Sequence, residues 1–115
     1  MNYVNAGHCP PLVLKNGADR FVLLEAKGIA LGVMDGVTIE EKEIELAKND
    51  VVIFYTDGVT EAISDKAEQF GQQRLTRLAE ENHNLNAQDL MKLMTAFSRG
   101  QPQFDDVTLM ILKAA

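Results

Sequence analysis

The sequence predicts an α+β fold in which antiparallel strands come first, a pair of helices follows and one strand closes the order. Three observations predict it. Short apolar runs separated by turn residues extend up to Tyr55, and apolar residues recur at helical spacing between Gln72 and Phe97. The apolar run Val107 to Leu112 then returns to strand character. Strands, then helices, then a strand is an α+β order, whereas repeated βαβ units would give a parallel sheet.

Pro11 to Leu14 and Phe21 to Leu24 flank Asn16-Gly17, whose residues tolerate positive φ and suit a hairpin turn. Gly28, Gly32 and Gly36 punctuate a loop around Ile29-Ala30-Leu31, where glycine permits tight turns or close approach of chain to chain. Val37 to Leu46 alternates but slips phase: Val37 and Ile39 share one face, Ile44 and Leu46 the other. A bulge or two short strands would produce that slip. Lys48-Asn49-Asp50 is a turn leading into Val51 to Tyr55, which is apolar on both faces and therefore a central strand. Gln72 to Glu81 carries Leu75, Leu78 and Ala79 at helical spacing. Asn86 is an N-cap, with Asp89 in the capping-box position, for a second helix bearing Ala87, Leu90, Met91, Met94 and Phe97 on one stripe. We read that stripe as packing against the sheet, with methionine filling irregular gaps, rather than as a partner groove. Gly100 and Pro102 stop the helix.

A chain of 115 residues amounts to one small domain. Its net charge of −6 argues against a nucleic-acid footprint, which needs clustered Lys and Arg, and against docking on an anionic membrane. Glu40, Glu41, Glu43 and Glu45 read as a solvated face. The single cysteine, Cys9, excludes an internal disulfide and fits a reducing compartment. No signal peptide is expected at the N-terminus, and no apolar run approaches the roughly 20 residues of a membrane span. The expectation is a cytoplasmic protein.

Asp57 and Asp105 are the residues that could carry chemistry. The run Val51 to Tyr55 ends abruptly in Thr56-Asp57-Gly58, which is how a buried strand delivers a carboxylate to the rim of a sheet. Asp105-Asp106 opens the run Val107 to Leu112 and could deliver another. Mg²⁺ and Mn²⁺ prefer carboxylate and water oxygens. Two such ions roughly 3.5–4 Å apart can share a water, lower its pKa and aim it at phosphorus. Gly58 would let the backbone pass close to the site, and Asp106 would be a further ligand or an orienting acceptor. Asp-Gly after a strand is also a common turn, and Asp before a strand a common loop residue. The residues alone leave both readings open.

Several segments, taken together and in order, resemble the C-terminal part of the PPM family of metal-dependent Ser/Thr protein phosphatases, in its bacterial SpoIIE-like branch. They are Asn5-Ala6-Gly7-His8 with Pro10, Gly28 through Leu31-Gly32-Val33, and Phe54 through Ala62. Phe70-Gly71 with Arg74-Leu75, and Asp105-Asp106-Val107-Thr108-Leu109, complete the set. The resemblance implies the C-terminal portion of an α-β-β-α sandwich, mostly antiparallel, with a helical pair on one face. It implies Asp57 and Asp105 as ligands of Mn²⁺ or Mg²⁺, two ions in the complete domain, and Asp106 beside them. His8 falls where more distant relatives place an aspartate near the metals; it either touches the site or a phosphate, or is a loop histidine bonded to backbone. His83 reads as a surface residue and Cys9 as a small packing residue.

The family's catalytic domain is longer and begins before the Asn5 motif. Its early part supplies strands, two helices and an Asp-Gly pair that bridges the metals. Asp35-Gly36 sits in the wrong place to be that pair. Residues 1–115 are therefore expected to form a single partial domain that holds metal weakly or not at all. The function implied by the resemblance is dephosphorylation of a regulatory phosphoprotein, such as an anti-sigma factor antagonist, by a metal-activated water. The alternative is a catalytically incomplete module for interaction or self-association. An upstream sensor or receiver domain and a homo-oligomer are the further partners expected.

Overall fold

The computed structural model describes residues 1–15, 21–25, 40–81, 86–101 and 106–114. Asn16-Gly17, the loop of Gly28, Gly32 and Gly36 with Asp35, the Val37–Ile39 stretch, His83, Pro102 and Asp105 lie outside them. The described elements are β1 (Asn2–Val4), β2 (Leu12–Leu14), β3 (Phe21–Leu23), β4 (Glu41–Glu43), β5 (Val51–Tyr55), α1 (Asp57–Thr60), α2 (Gly71–Glu81), α3 (Ala87–Phe97) and β6 (Leu109–Lys113).

The run that is apolar on both faces, β5, lies inside a four-stranded antiparallel sheet of order β3-β2-β5-β6. Leu12 stands opposite Ile53 on one side of it, and Ile53 opposite Ile111 on the other. The two runs flanking residues 16–20 pair as expected, with Leu12 opposite Leu23. A second, two-stranded sheet joins β1 to β4.

Alternation sorts the sheet's side chains into two cores. Leu12, Ile53 and Tyr55 face the helices and are buried with Leu75, Ala79, Leu90 and Met94. Val13 and Val52 face the other way and are buried with Leu24, against Tyr3, Ile44 and Leu46 beside the small sheet. The result is a helix layer, a main sheet and a partial second sheet. The stripe on α3 is core: Leu90 and Met94 are buried, and Met91 and Phe97 pack beside them. Its cap forms as expected, with the Asn86 side chain accepting from the Asp89 N–H at 2.8 Å. Phe70 meets Phe97 edge to face at 5.2 Å, and the Arg74 guanidinium lies 4.2 Å over the Phe97 ring, which ties α2 to α3.

The turn before β5 is built around a buried carboxylate. Asn49 adopts φ 70°, and Asp50, 1% exposed, accepts from the Ala47 N–H at 2.8 Å and from Lys15 Nζ at 3.0 Å. Lys15 also donates to the Glu45 carbonyl. Glu41 and Glu43 are exposed, while Ile44 and Leu46 turn inward.

Three features differ from the sequence expectation. β1 is a strand, three residues long, held against β4 and by the N-terminal ammonium, which donates to the Ile44 carbonyl at 2.7 Å. The polar turn after β5 winds into α1, a single helical turn with Gly58 and Val59 buried. The last strand starts at Leu109 rather than at Val107, because Thr108 pairs with Thr56 on a different pattern.

Candidate active site

β5 ends where the main sheet stops, and Asp57 follows as the first residue of α1, exposed to solvent. Its neighbour Thr56 joins this rim to the segment preceding β6. The Thr56 N–H donates to the Thr108 carbonyl at 3.2 Å. Its hydroxyl donates to the Asp106 carbonyl at 3.0 Å and accepts from the Thr108 N–H at 3.0 Å. Gly58 makes the approach sterically possible: a Cβ there would lie 2.1 Å from the Asp106 carbonyl oxygen.

The opposite wall is the loop after β1. Asn5 clamps it from both ends of one residue. Its Nδ2 donates to the His8 carbonyl at 2.9 Å, and its Oδ1 accepts from the His8 N–H at 2.7 Å. Gly7 supplies the positive φ of 85° that this turn requires. His8 Nδ1 lies 2.9 Å from the Cys9 carbonyl, which can only accept, so Nδ1 carries a proton and Nε2 is the ring nitrogen left for a ligand. The Cys9 thiol donates to Asp57 Oδ1 at 2.7 Å, joining the two walls. Partial burial, then the hydrogen bond to Asp57 and the charge of Asp57, push this thiol up from 9.0 to about 11. It is therefore a neutral donor beside the carboxylate.

Between the walls lies a pocket of about 230 Å³ lined by Gly7, His8, Cys9, Thr56, Asp57 and Asp106. An adjoining hollow of about 390 Å³ extends it past Pro10, Tyr55, Thr60 and Gln72. Gln72 Nε2 donates to the Tyr55 hydroxyl at 2.8 Å, and burial raises the Tyr55 phenol. His8, Asp57 and Asp106 thus share one pocket, with Gly58 at the contact between its two carboxylate-bearing segments. Asp105 lies outside the described residues. The donors fit a hard divalent ion in kind, since two carboxylate-bearing residues, Asp57 and Asp106, line the pocket. Among the described residues, no three His, Cys, Asp or Glu side chains group as a ready-made metal cage.

Sequence reasoning placed Asn5 and Thr56 within its motifs without giving either a role, and it missed the thiol–carboxylate bond. Asn5 had a usable signal, an Asn three residues before a histidine across a glycine. Thr56 and Cys9 had none, because their partners are distant in sequence.

Layer order, antiparallel main sheet and a carboxylate at the rim of β5 describe a PP2C-type, or PPM, phosphatase fold, and solved structures agree. The SiaA PP2C domain of Pseudomonas aeruginosa superposes with a TM-score of 0.73 at 19% identity, covering 96% of this chain and 44% of that one. The RsbU and RsbW domains of Rv1364c from Mycobacterium tuberculosis give 0.73 at 27% identity, covering 99% and 33%. The chain belongs to the Stage II sporulation protein E (SpoIIE) family, whose sequence model matches residues 1–115. It is 33% identical over 112 residues to protein IcfG of Synechocystis sp., covering 95% of this chain and 18% of IcfG. It is 30% identical over 114 residues to the phosphoserine phosphatase RsbU of Bacillus subtilis, covering 96% and 34%. The chain thus spans about a fifth and a third of these two relatives. Among the described residues, no helix is long and apolar enough to cross a membrane.

Proposed function

We propose that this chain carries the Asp57 and Asp105 part of a metal-dependent protein-serine/threonine phosphatase site. Its substrate would be a phosphorylated regulatory protein, such as an anti-sigma factor antagonist, in the cytoplasm, under control of an upstream sensor or receiver domain. The observation that carries this reading is Asp57, held at the end of the central strand and opening on a pocket that the Asp106 segment also lines. The similarity to RsbU, a phosphoserine phosphatase, supports it.

Asp57 and Asp105 would hold Mn²⁺ or Mg²⁺, with Asp106 beside them. When bound, such ions supply an acidified water and neutralise charge on the phosphoryl oxygens. The chain's own residues shape the rest. The Asn5 clamp holds His8 at the mouth of the pocket, and the Cys9 thiol keeps the Asp57 carboxylate turned toward that wall. The adjoining hollow offers room for the residue that bears the phosphate.

The test is Mn²⁺-dependent hydrolysis of p-nitrophenyl phosphate and of a phosphoserine protein by this chain beside its Asp57→Asn variant. Turnover that disappears in the variant supports the reading. Equal turnover in both, or none in either, goes against this chain as an enzyme.

A second reading, an interaction or self-association module, draws on a different observation. On one face of the main sheet, Val22 and Leu112 stand in register on either side of Val13 and Val52, which are buried. Val22 is 63% exposed, Leu112 39% and the neighbouring Met110 53%.

A further inference from the structure

We propose that Thr56 is a positioning residue for the metal site, its hydroxyl setting the spacing between Asp57 and the segment that starts at Asp106. This rests on the reading of Asp57 and Asp105 as metal ligands. The regular ladder between β5 and β6 ends at Tyr55 opposite Leu109. One residue further, the Thr56 carbonyl is committed to α1, where it accepts from the Val59 N–H at 3.0 Å. That carbonyl is lost to the Thr108 N–H, and the Thr56 hydroxyl takes its place at 3.0 Å. The same hydroxyl donates onward to the Asp106 carbonyl at 3.0 Å. One side chain therefore acts as acceptor and donor at the point where the backbone ladder fails, and the Asp106 carbonyl is held by it.

Gly58 limits the same approach from the other direction, since a Cβ would collide with the Asp106 carbonyl oxygen. The Asp106 backbone is thus drawn in by a hydroxyl and admitted by a glycine, both adjacent to Asp57. Serine can make the same two bonds. Valine, of equal shape, can make neither and leaves a backbone donor and acceptor without that partner.

The test is direct Mn²⁺ binding, read by paramagnetic resonance of the free ion, for the intact chain and its Thr56→Val, Thr56→Ser and Asp57→Asn variants. Thr56→Val is expected to bind about tenfold more weakly, for two lost hydrogen bonds, while Thr56→Ser stays within about twofold of the parent. If Asp57→Asn loses binding but Thr56→Val retains it, this proposal is overturned and the metal reading stands. If the parent binds no better than Asp57→Asn, both fall. A second measurement needs no Thr56 variant. By reciprocity of coupling, Mg²⁺ should slow amide hydrogen exchange at Thr108 in the parent chain about tenfold. Unchanged exchange in Mg²⁺-bound protein would overturn the positioning role.

Discussion

The thiol of Cys9 reaches Asp57 at 2.7 Å, and it does so as a neutral group. Its pKa of about 11 has a definite consequence for reactivity and for stability. The folded state holds the proton more tightly than the unfolded chain, whose thiol titrates near 9.0. The contribution of this group to stability is complete below pH 9 and is lost as pH rises from there to about 11. In chelator at pH 8, the native chain should react with iodoacetamide roughly a hundredfold more slowly than the chain in urea, because two pKa units separate their thiolate fractions. Asp57→Asn should react faster than the parent. Equal native and urea rates would contradict the bond. Asp57 itself was legible in the sequence, because an apolar run that stops at an acid announces a rim. The roles of Cys9 and Thr56 were not, because their partners lie 48 and 50 residues away.

Individual elements differ in how much local chemistry fixes them. α3 is specified twice, by the stripe from Ala87 to Phe97 and by the Asn86 cap, and was readable for both reasons. Asn86→Ala should lower stability by about 1 kcal/mol in urea unfolding. Ala67 shows the opposite case. It sits at φ 60° in the turn between Ser64 and Glu68, a region where a Cβ is strained. Ala67→Gly should raise stability by about 0.5–1 kcal/mol in the same assay, and a decrease would mean that the turn is held some other way. β5 was legible because both its faces are apolar. β1 was not, since three residues carry too little pattern and its partner Glu41–Glu43 is wholly exposed. The late start of β6 was hidden for a related reason. Val107 is apolar enough for a strand, but Thr56 draws its neighbours out of the ladder.

The whole molecule is flat. Its radius of gyration is 15.2 Å and its thinnest extent 18 Å. A compact chain of this length would have a radius of about 13 Å. The small sheet covers the Val13 and Val52 part of the main sheet, while Met110 and Leu112 on β6 keep much of their surface in water. Isolated exposed apolar residues are ordinary, whereas adjacent ones such as Met110 and Leu112, two residues apart on the same face of β6, favour association. Sedimentation of the parent should therefore depend on concentration, and a Met110→Lys, Leu112→Lys double variant should run as a smaller species with its fold retained. A parent that stays monomeric throughout would remove the self-association reading. The α+β class was readable from the order of the runs, but the extent of cover on each face was not, because it depends on which elements reach which side.

The pairing of β5 with β6 also sets a schedule. During synthesis Tyr55 leaves the ribosome long before Leu109, so β5 must wait for its neighbour while both helices are still being made. The Asp106 segment reaches Thr56 and Gly58, on either side of Asp57, beside that last ladder. A nascent chain can bury much of its helix-facing core and still lack the Asp106 wall of the pocket. Any activity that needs the Asp106 segment would be withheld until β6 is made.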